Sequence, residues 1–254
     1  MKIFAIAINT FKETIRDKIL YNLLVFALLI IIASMLLQEL TISQQIKIVK
    51  DVCLGSISIF GVLIAVFIGI GLVSREIERK TIYTIVSKPI HRYQFLLGKF
   101  LGLLITLAIN VGIMTLTLAT VVYIIEGTMG GSMYIAVYLI FLELILITGI
   151  ALFFSTFTTP TLSAIFTLAI FLIGRMAVDI KYFGGKSKSI IIQKLSSALY
   201  DILPNLQNYN VRELAVYNEP ISSYYILWVT GALLIWTTIF LILASLIFER
   251  RDFK

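Results

Sequence analysis

The side chains able to do covalent or metal chemistry are few in this chain, and they do not cluster. It holds one His, His91, and one Cys, Cys53. A single cysteine closes no intrachain disulfide, and the two residues lack the partners a Cys/His metal site needs. A haem held by two histidines is likewise excluded, whereas carboxylate metal sites stay open. The nearest approach to a phosphate loop is GGKS at residues 184–187, but Ile180 stands where the pattern needs its first glycine. The expectation is a chain with no catalytic residue, no metal and no cofactor of its own.

What remains is ionisable groups in telling places. Glu143 falls about halfway along an apolar run. A carboxylate at that depth costs a few kcal/mol or more unless it is paired, hydrated or protonated. One reading puts it on a substrate cleft or a subunit interface. The other gives it a structural partner, either Arg175 or Asn110. Arg175 has a second candidate in Asp179, four residues on.

The second concentration of charge is SREIERKTIYTIVSKPIHRYQFLLGKFLG, residues 74–102. Ser74 is placed to cap a helix with Glu76, Ile77 and Glu78 at its start, where the helix dipole favours acids. Glu76 and Lys80 stand four apart and can pair. Pro89 stops the helix, because the residue before a proline is pushed out of helical geometry. The segment 74–90 therefore predicts a short helix between two spans, placed to touch a soluble partner. A solvated linker is the plainer alternative.

These groups need elements to hold them. The 254 residues are 59% hydrophobic and 14% charged, with a mean hydropathy of +1.01. Soluble chains carry about 45–50% apolar and about 25% charged residues, so the solvent for most of this surface is lipid. Apolar runs long enough to cross a hydrocarbon core of about 30 Å occur six times: 19–37, 52–73, 95–125, 133–154, 161–178 and 224–248. None alternates strictly, so they predict helices, the other structure besides a closed barrel that satisfies its backbone in lipid. The fold expected is an all-α polytopic membrane protein over residues 1–254.

Residues 1–18 differ from the spans. Ile3, Phe4, Ala7, Ile8, Phe11 and Ile15 recur at helical spacing, with Lys2, Asn9, Lys12, Glu13, Arg16 and Asp17 mostly elsewhere on the wheel. That pattern predicts an amphipathic helix lying in the interface, not a cleaved leader. Between the last two spans, 179–223 forms a long loop. Within it Ile191, Ile192, Leu195, Leu199 and Leu203 mark one face of a short helix that Pro204 ends.

The net charge of +7 is not a nucleic-acid signal, because the cations sort by loop. Lys2, Lys12, Arg16, Lys18, Arg75, Arg79, Lys80, Lys88, Arg92, Lys99, Arg250, Arg251 and Lys254 fall on one side. The positive-inside rule makes that side, with both termini, cytoplasmic. Gly98-x-x-x-Gly102 and the Gly69/Gly71 pair are small-residue packing patterns.

The loop at 74–102 resembles the coupling-helix region of permease subunits of type-2 ABC exporters. The matching positions are Glu76, Glu78, Thr81, Ser87, Lys88, Pro89, Ile90, Arg92, Leu97, Gly98 and Lys99. Residues 142–174 resemble that family's fourth and fifth spans with their Ser/Thr-Pro turn, and ILPNLQNYNVRE resembles its outer-loop signature. The branch that includes copper-enzyme-maturation permeases looks nearest. The resemblance implies a permease dimer in a prokaryotic plasma or inner membrane, bound to two cytoplasmic ATPase subunits that hold ATP and Mg. Glu76, Glu78, Arg79 and Lys80 would be polar contacts to those ATPases, with Ile77, Thr81 and Ile82 beside them. A self-contained secondary transporter or channel is the competing class. That class usually shows two related halves with broken helices, and no internal repeat stands out here.

Overall fold

The computed structural model describes residues 2–37, 45–78 and 91–250. Among these residues every regular element is helical. The N-terminal helix α1 (Lys2–Ile15) leads through a turn at Arg16 into α2 (Lys18–Leu37). Then come α3 (Gln45–Glu78), α4 (Arg92–Glu126) and α5 (Gly131–Ser155). Next are α6 (Pro160–Arg175), α7 (Ala177–Gly185), α8 (Ile190–Ile202), a 3-10 turn (Leu206–Tyr209), α9 (Arg212–Val216) and α10 (Ser223–Arg250).

Five helices, α2, α3, α4, α5 and α10, are long and apolar enough to cross a membrane. The pair α6–α7, bent by 62°, passes the same length and apolarity test together and is a sixth candidate, as a broken span or a re-entrant loop. Helices α3 and α5 form the centre: 78% of the most apolar window of each is buried, against 22% for α2 and 28% for α10. The outer helices keep a narrow inward stripe. On α2, Leu20, Ala27, Ile31 and Ser34 are buried while Phe26, Leu29, Ile32 and Leu36 are exposed. That is the pattern of a helix with bundle on one side and hydrocarbon on the other.

Local signals set the helix ends. Gly127, at φ 80°, closes α4, and its backbone N–H donates to the Tyr123 carbonyl. A left-handed C-terminal position favours glycine because a side chain there would clash. Pro160 opens α6 at its first turn, where no backbone donor is needed.

The predicted fifth span, 161–178, meets a correction. Its helix ends at Arg175, and the chain turns at Met176 into α7. Sixteen residues rise only about 24 Å, short of a crossing. The bend follows from two contacts. Arg175 is drawn toward Glu143 of α5, and Gly174 leaves room for Leu206 and Pro204 to press against the α6 backbone. Helix α8 appears within its predicted bounds, with Pro204 two residues beyond its end. Its Ile190, Ile191, Leu195 and Ile202 face outward, as an interfacial helix requires.

Candidate functional site

Polar groups gather at three depths of this bundle. One end carries α1, the last turns of α3, the start of α4 and the end of α10. Arg92 Nη1 donates to the carbonyl oxygens of Phe248 and Glu249, both at 2.9 Å. Those oxygens belong to the last described turn of α10. Lys99, almost fully buried, reaches Glu13 Oε2 of α1 at 3.2 Å. Beside it Gly98 and Gly102 let α1 approach closely. A Cβ on Gly98 would stand 2.6 Å from Ile6, and one on Gly102 would stand 2.7 Å from the Ala7 carbonyl oxygen. The small-residue pattern thus packs α1 against α4 inside one chain.

This changes the picture of α1. Its buried residues are Ala7, Thr10 and Thr14, a stripe of small side chains set against α4. Phe4, Ile8 and Ile15 stay exposed for lipid. The helix therefore has a protein face between its lipid and water faces.

Helix α3 reaches this end without a break. Ser74 lies inside it, so it does not cap a new helix, and Glu76, Ile77 and Glu78 continue the same helix to the edge of the described residues. Residues 73–78 contain no Gly or Pro, so nothing ends the span's helix before them. Arg79, Lys80, Thr81 and Ile82, with the rest of the expected helix as far as Ile90, lie outside the described residues. His91 precedes α4 in extended geometry and stacks on Tyr93.

At mid-depth Glu143 is fully buried and held by a two-pronged pair. Arg175 Nε donates to Oε1 and Nη2 to Oε2, both at 2.7 Å. The same Nη2 also reaches Ser58 Oγ of α3 at 2.8 Å. Arg175 is thus the partner of Glu143, in preference to Asp179. The fork geometry supplies the Coulomb energy and the directed hydrogen bonds that a buried pair needs. Asn110 is not part of this cluster. Its Nδ2 donates to the Thr106 carbonyl one turn back, and its Oδ1 is buried without a partner. Ser58 was not legible as a member, because a lone serine in an apolar run is common and usually bonds its own helix.

The far end is tied together by the loop before α10. Arg212 binds Asp51 of α3 through two bonds of 2.8 and 3.0 Å, and Gly55 clears the path of its guanidinium. Lys50 pairs with Glu126 at 2.5 Å. Ser132 donates to the Glu219 carbonyl. The 3-10 turn folds inward so that Leu206 and Tyr209 join the core. Tyr225 clamps the turn by donating to the Asn208 carbonyl at 2.6 Å. Burial, with the charge of Glu143 behind it, pushes the Tyr209 phenol above its ordinary range. It is therefore a neutral donor at physiological pH.

The chain matches the family model described as ABC-2 family transporter protein over residues 4–253, and it belongs to that family as a permease component of an ABC transporter. No curated protein matches it.

Proposed function

We propose that this chain is an exporter permease that works with two separate cytoplasmic ATPase subunits and a second permease subunit. ATP and Mg are bound by the ATPases, and hydrolysis there repacks the spans here. The observation that carries this reading is the convergence at one end of the bundle. Helix α3 has 34 residues, a rise of about 51 Å, well beyond the about 30 Å of a hydrocarbon core. Its surplus carries Glu76, Ile77 and Glu78 out beside α1, the start of α4 and the end of α10. In the sequence most Lys and Arg fall in the segments that lead to that end, which supports a cytoplasmic placement of both termini; the membrane would be a prokaryotic plasma or inner membrane, as the family resemblance implies. Residues 74–90 would then be the contact to the ATPases, with Arg79, Lys80, Thr81 and Ile82 continuing the surface begun by α3.

Affinity co-purification of the tagged chain from gently solubilised membranes tests this, alongside the double variant Glu76→Ala, Glu78→Ala. The parent should bring down an ATPase subunit. The variant should lose it, or keep it with ATP hydrolysis uncoupled from transport. A well-folded parent that recovers no ATPase refutes the proposal and brings forward the self-contained transporter.

A further inference from the structure

Between α10 and the inward-folded loop lies a cleft of about 320 Å³, at the small end of the range for ligand pockets. Its α10 wall is one helical face, Trp228, Val229, Ala232 and Trp236. Counted from Ser223, Trp228 lies about 8 Å and Trp236 about 20 Å along the helix axis. The cleft therefore starts near the membrane surface and runs down through one leaflet. Its opposite wall is built by Asp201, Asn205, Asn208 and Tyr209.

The polar groups of these walls are mostly unused. Tyr209 is 3% exposed, lines the cleft, and makes no hydrogen bond through its hydroxyl within the described chain. That hydroxyl is also not among the sealed, partnerless buried atoms, so the opening it touches is the cleft. The indole N–H groups of Trp228 and Trp236 and the Asn208 side-chain amide have no partner either. The Asn205 side-chain oxygen accepts from the Gln207 backbone, which leaves its NH₂ available. Buried polar groups are normally satisfied; of these residues Tyr209 is the buried one, and all of them line the same cleft.

Charge narrows the class of ligand. Asp201 is the single ionisable carboxylate on the walls, and Lys181 stands 4.0 Å from it. Among the described residues no cation lines the cleft. Lys181, 3.8 Å over the Tyr200 ring, is already engaged by Asp201, so a phosphate head would meet a neutralised pair and an ammonium head would compete with Lys181. Neutral donors, amides and aromatic faces suit a hydroxyl-rich ring, whose C–H edges meet the negative faces of indole and phenol. The cleft holds a head of about one ring, while Ile239 and Leu243, exposed on the same face of α10 beyond Trp236, offer a path for acyl chains.

We propose that the cleft between α10 and the 3-10 turn binds a membrane amphiphile with an uncharged, hydroxyl-rich head, of the glycosyl-diacylglycerol class. Tyr209, Asn208 and the two indoles would hold the head. This site is independent of ATPase pairing and stands or falls separately from it.

The chain has two tryptophans, and both line this cleft, so their emission reports on it directly. The full-length chain is placed in phosphatidylcholine nanodiscs and titrated with monoglucosyl diacylglycerol. Parallel series use phosphatidylethanolamine, phosphatidylglycerol and soluble methyl glucoside. The expected result is a saturable emission shift with the glucolipid alone. Tyr209→Phe and Asn208→Ala should each raise its midpoint about five- to tenfold, the effect of one lost hydrogen bond. Thermal melting checks that each variant is folded, and Asn208→Ala decides if Tyr209→Phe is not. An equal response to any charged lipid overturns the assignment of the head. A matching midpoint with methyl glucoside overturns the amphiphile. A midpoint unmoved in the folded variants overturns the site.

Discussion

Gly102→Ala, with Gly98→Ala beside it, tests whether α1 is bolted to the bundle or rests in lipid. A Cβ on Gly102 would lie 2.6 Å from Thr10 Cβ and 2.7 Å from the Ala7 carbonyl oxygen. Ordinary contacts begin near 3.5 Å, so α1 must retreat by most of an ångström, and no rotamer change moves a backbone oxygen. Overpacking of this kind costs about 1–3 kcal/mol. The gain in helix propensity returns up to about 1 kcal/mol. The net penalty of about 0–2 kcal/mol per site falls on the α1–α4 contact alone, and it roughly doubles in the paired variant. Every 1.4 kcal/mol shifts a local opening equilibrium about tenfold. Lys99 reads that opening, since its side chain is 2% exposed while bonded to Glu13. The assay is the rate of amine acetylation at Lys99 in detergent micelles, followed by mass spectrometry. The paired variant should be labelled faster than the parent, by about thirtyfold at the middle of that range. Gly112→Ala is the control, because nothing lies within 4 Å of that position on the same helix, and it should leave the rate unchanged. Unaltered Lys99 protection in the paired variant would refute the packing of α1 described above.

Two further outcomes are expected. Arg175→Met leaves Glu143 buried without its partner and should destabilise by about 3–5 kcal/mol, whereas adding Glu143→Gln should recover much of the loss; thermal melts of the three proteins decide it. Because the folded state raises the Tyr209 phenol above its ordinary value of 10, the stability it contributes is complete below pH 10 and is lost as pH climbs from there toward the folded value. Denaturant titration between pH 9 and 11 should show that decline shrink in Tyr209→Phe.

How far these features could be read from sequence follows from the range of the signals. Hydropathy located the spans because lipid demands about twenty apolar residues wherever a helix crosses. Helix α8 was legible because both its apolar period and Pro204 are local. The break at Met176 was not, since it is caused by Glu143 and Leu206, thirty or so residues away on either side. Ser74 looked like a cap, but a serine within a continuous run of helix formers only caps when the chain before it bends away. Gly98 and Gly102 announced a close approach without saying which helix would arrive. Glu143 advertised the need for a partner, and only the fold could choose Arg175 over Asn110.

Helix α3 runs without a break from Gln45 to Glu78 and meets a different partner at each depth. Near one end Asp51 grips Arg212 of the far-side loop. Near its middle Ser58 touches the Glu143–Arg175 pair, and Gly61 and Gly69 seat against Leu144, Ala151 and Leu103. If the ATPases press on the Glu78 end, as proposed above, the continuous helix from Gln45 to Glu78 would carry that push along its length. It would then reach Asp51 and, through the Asp51–Arg212 bonds, the loop that forms one wall of the aromatic cleft.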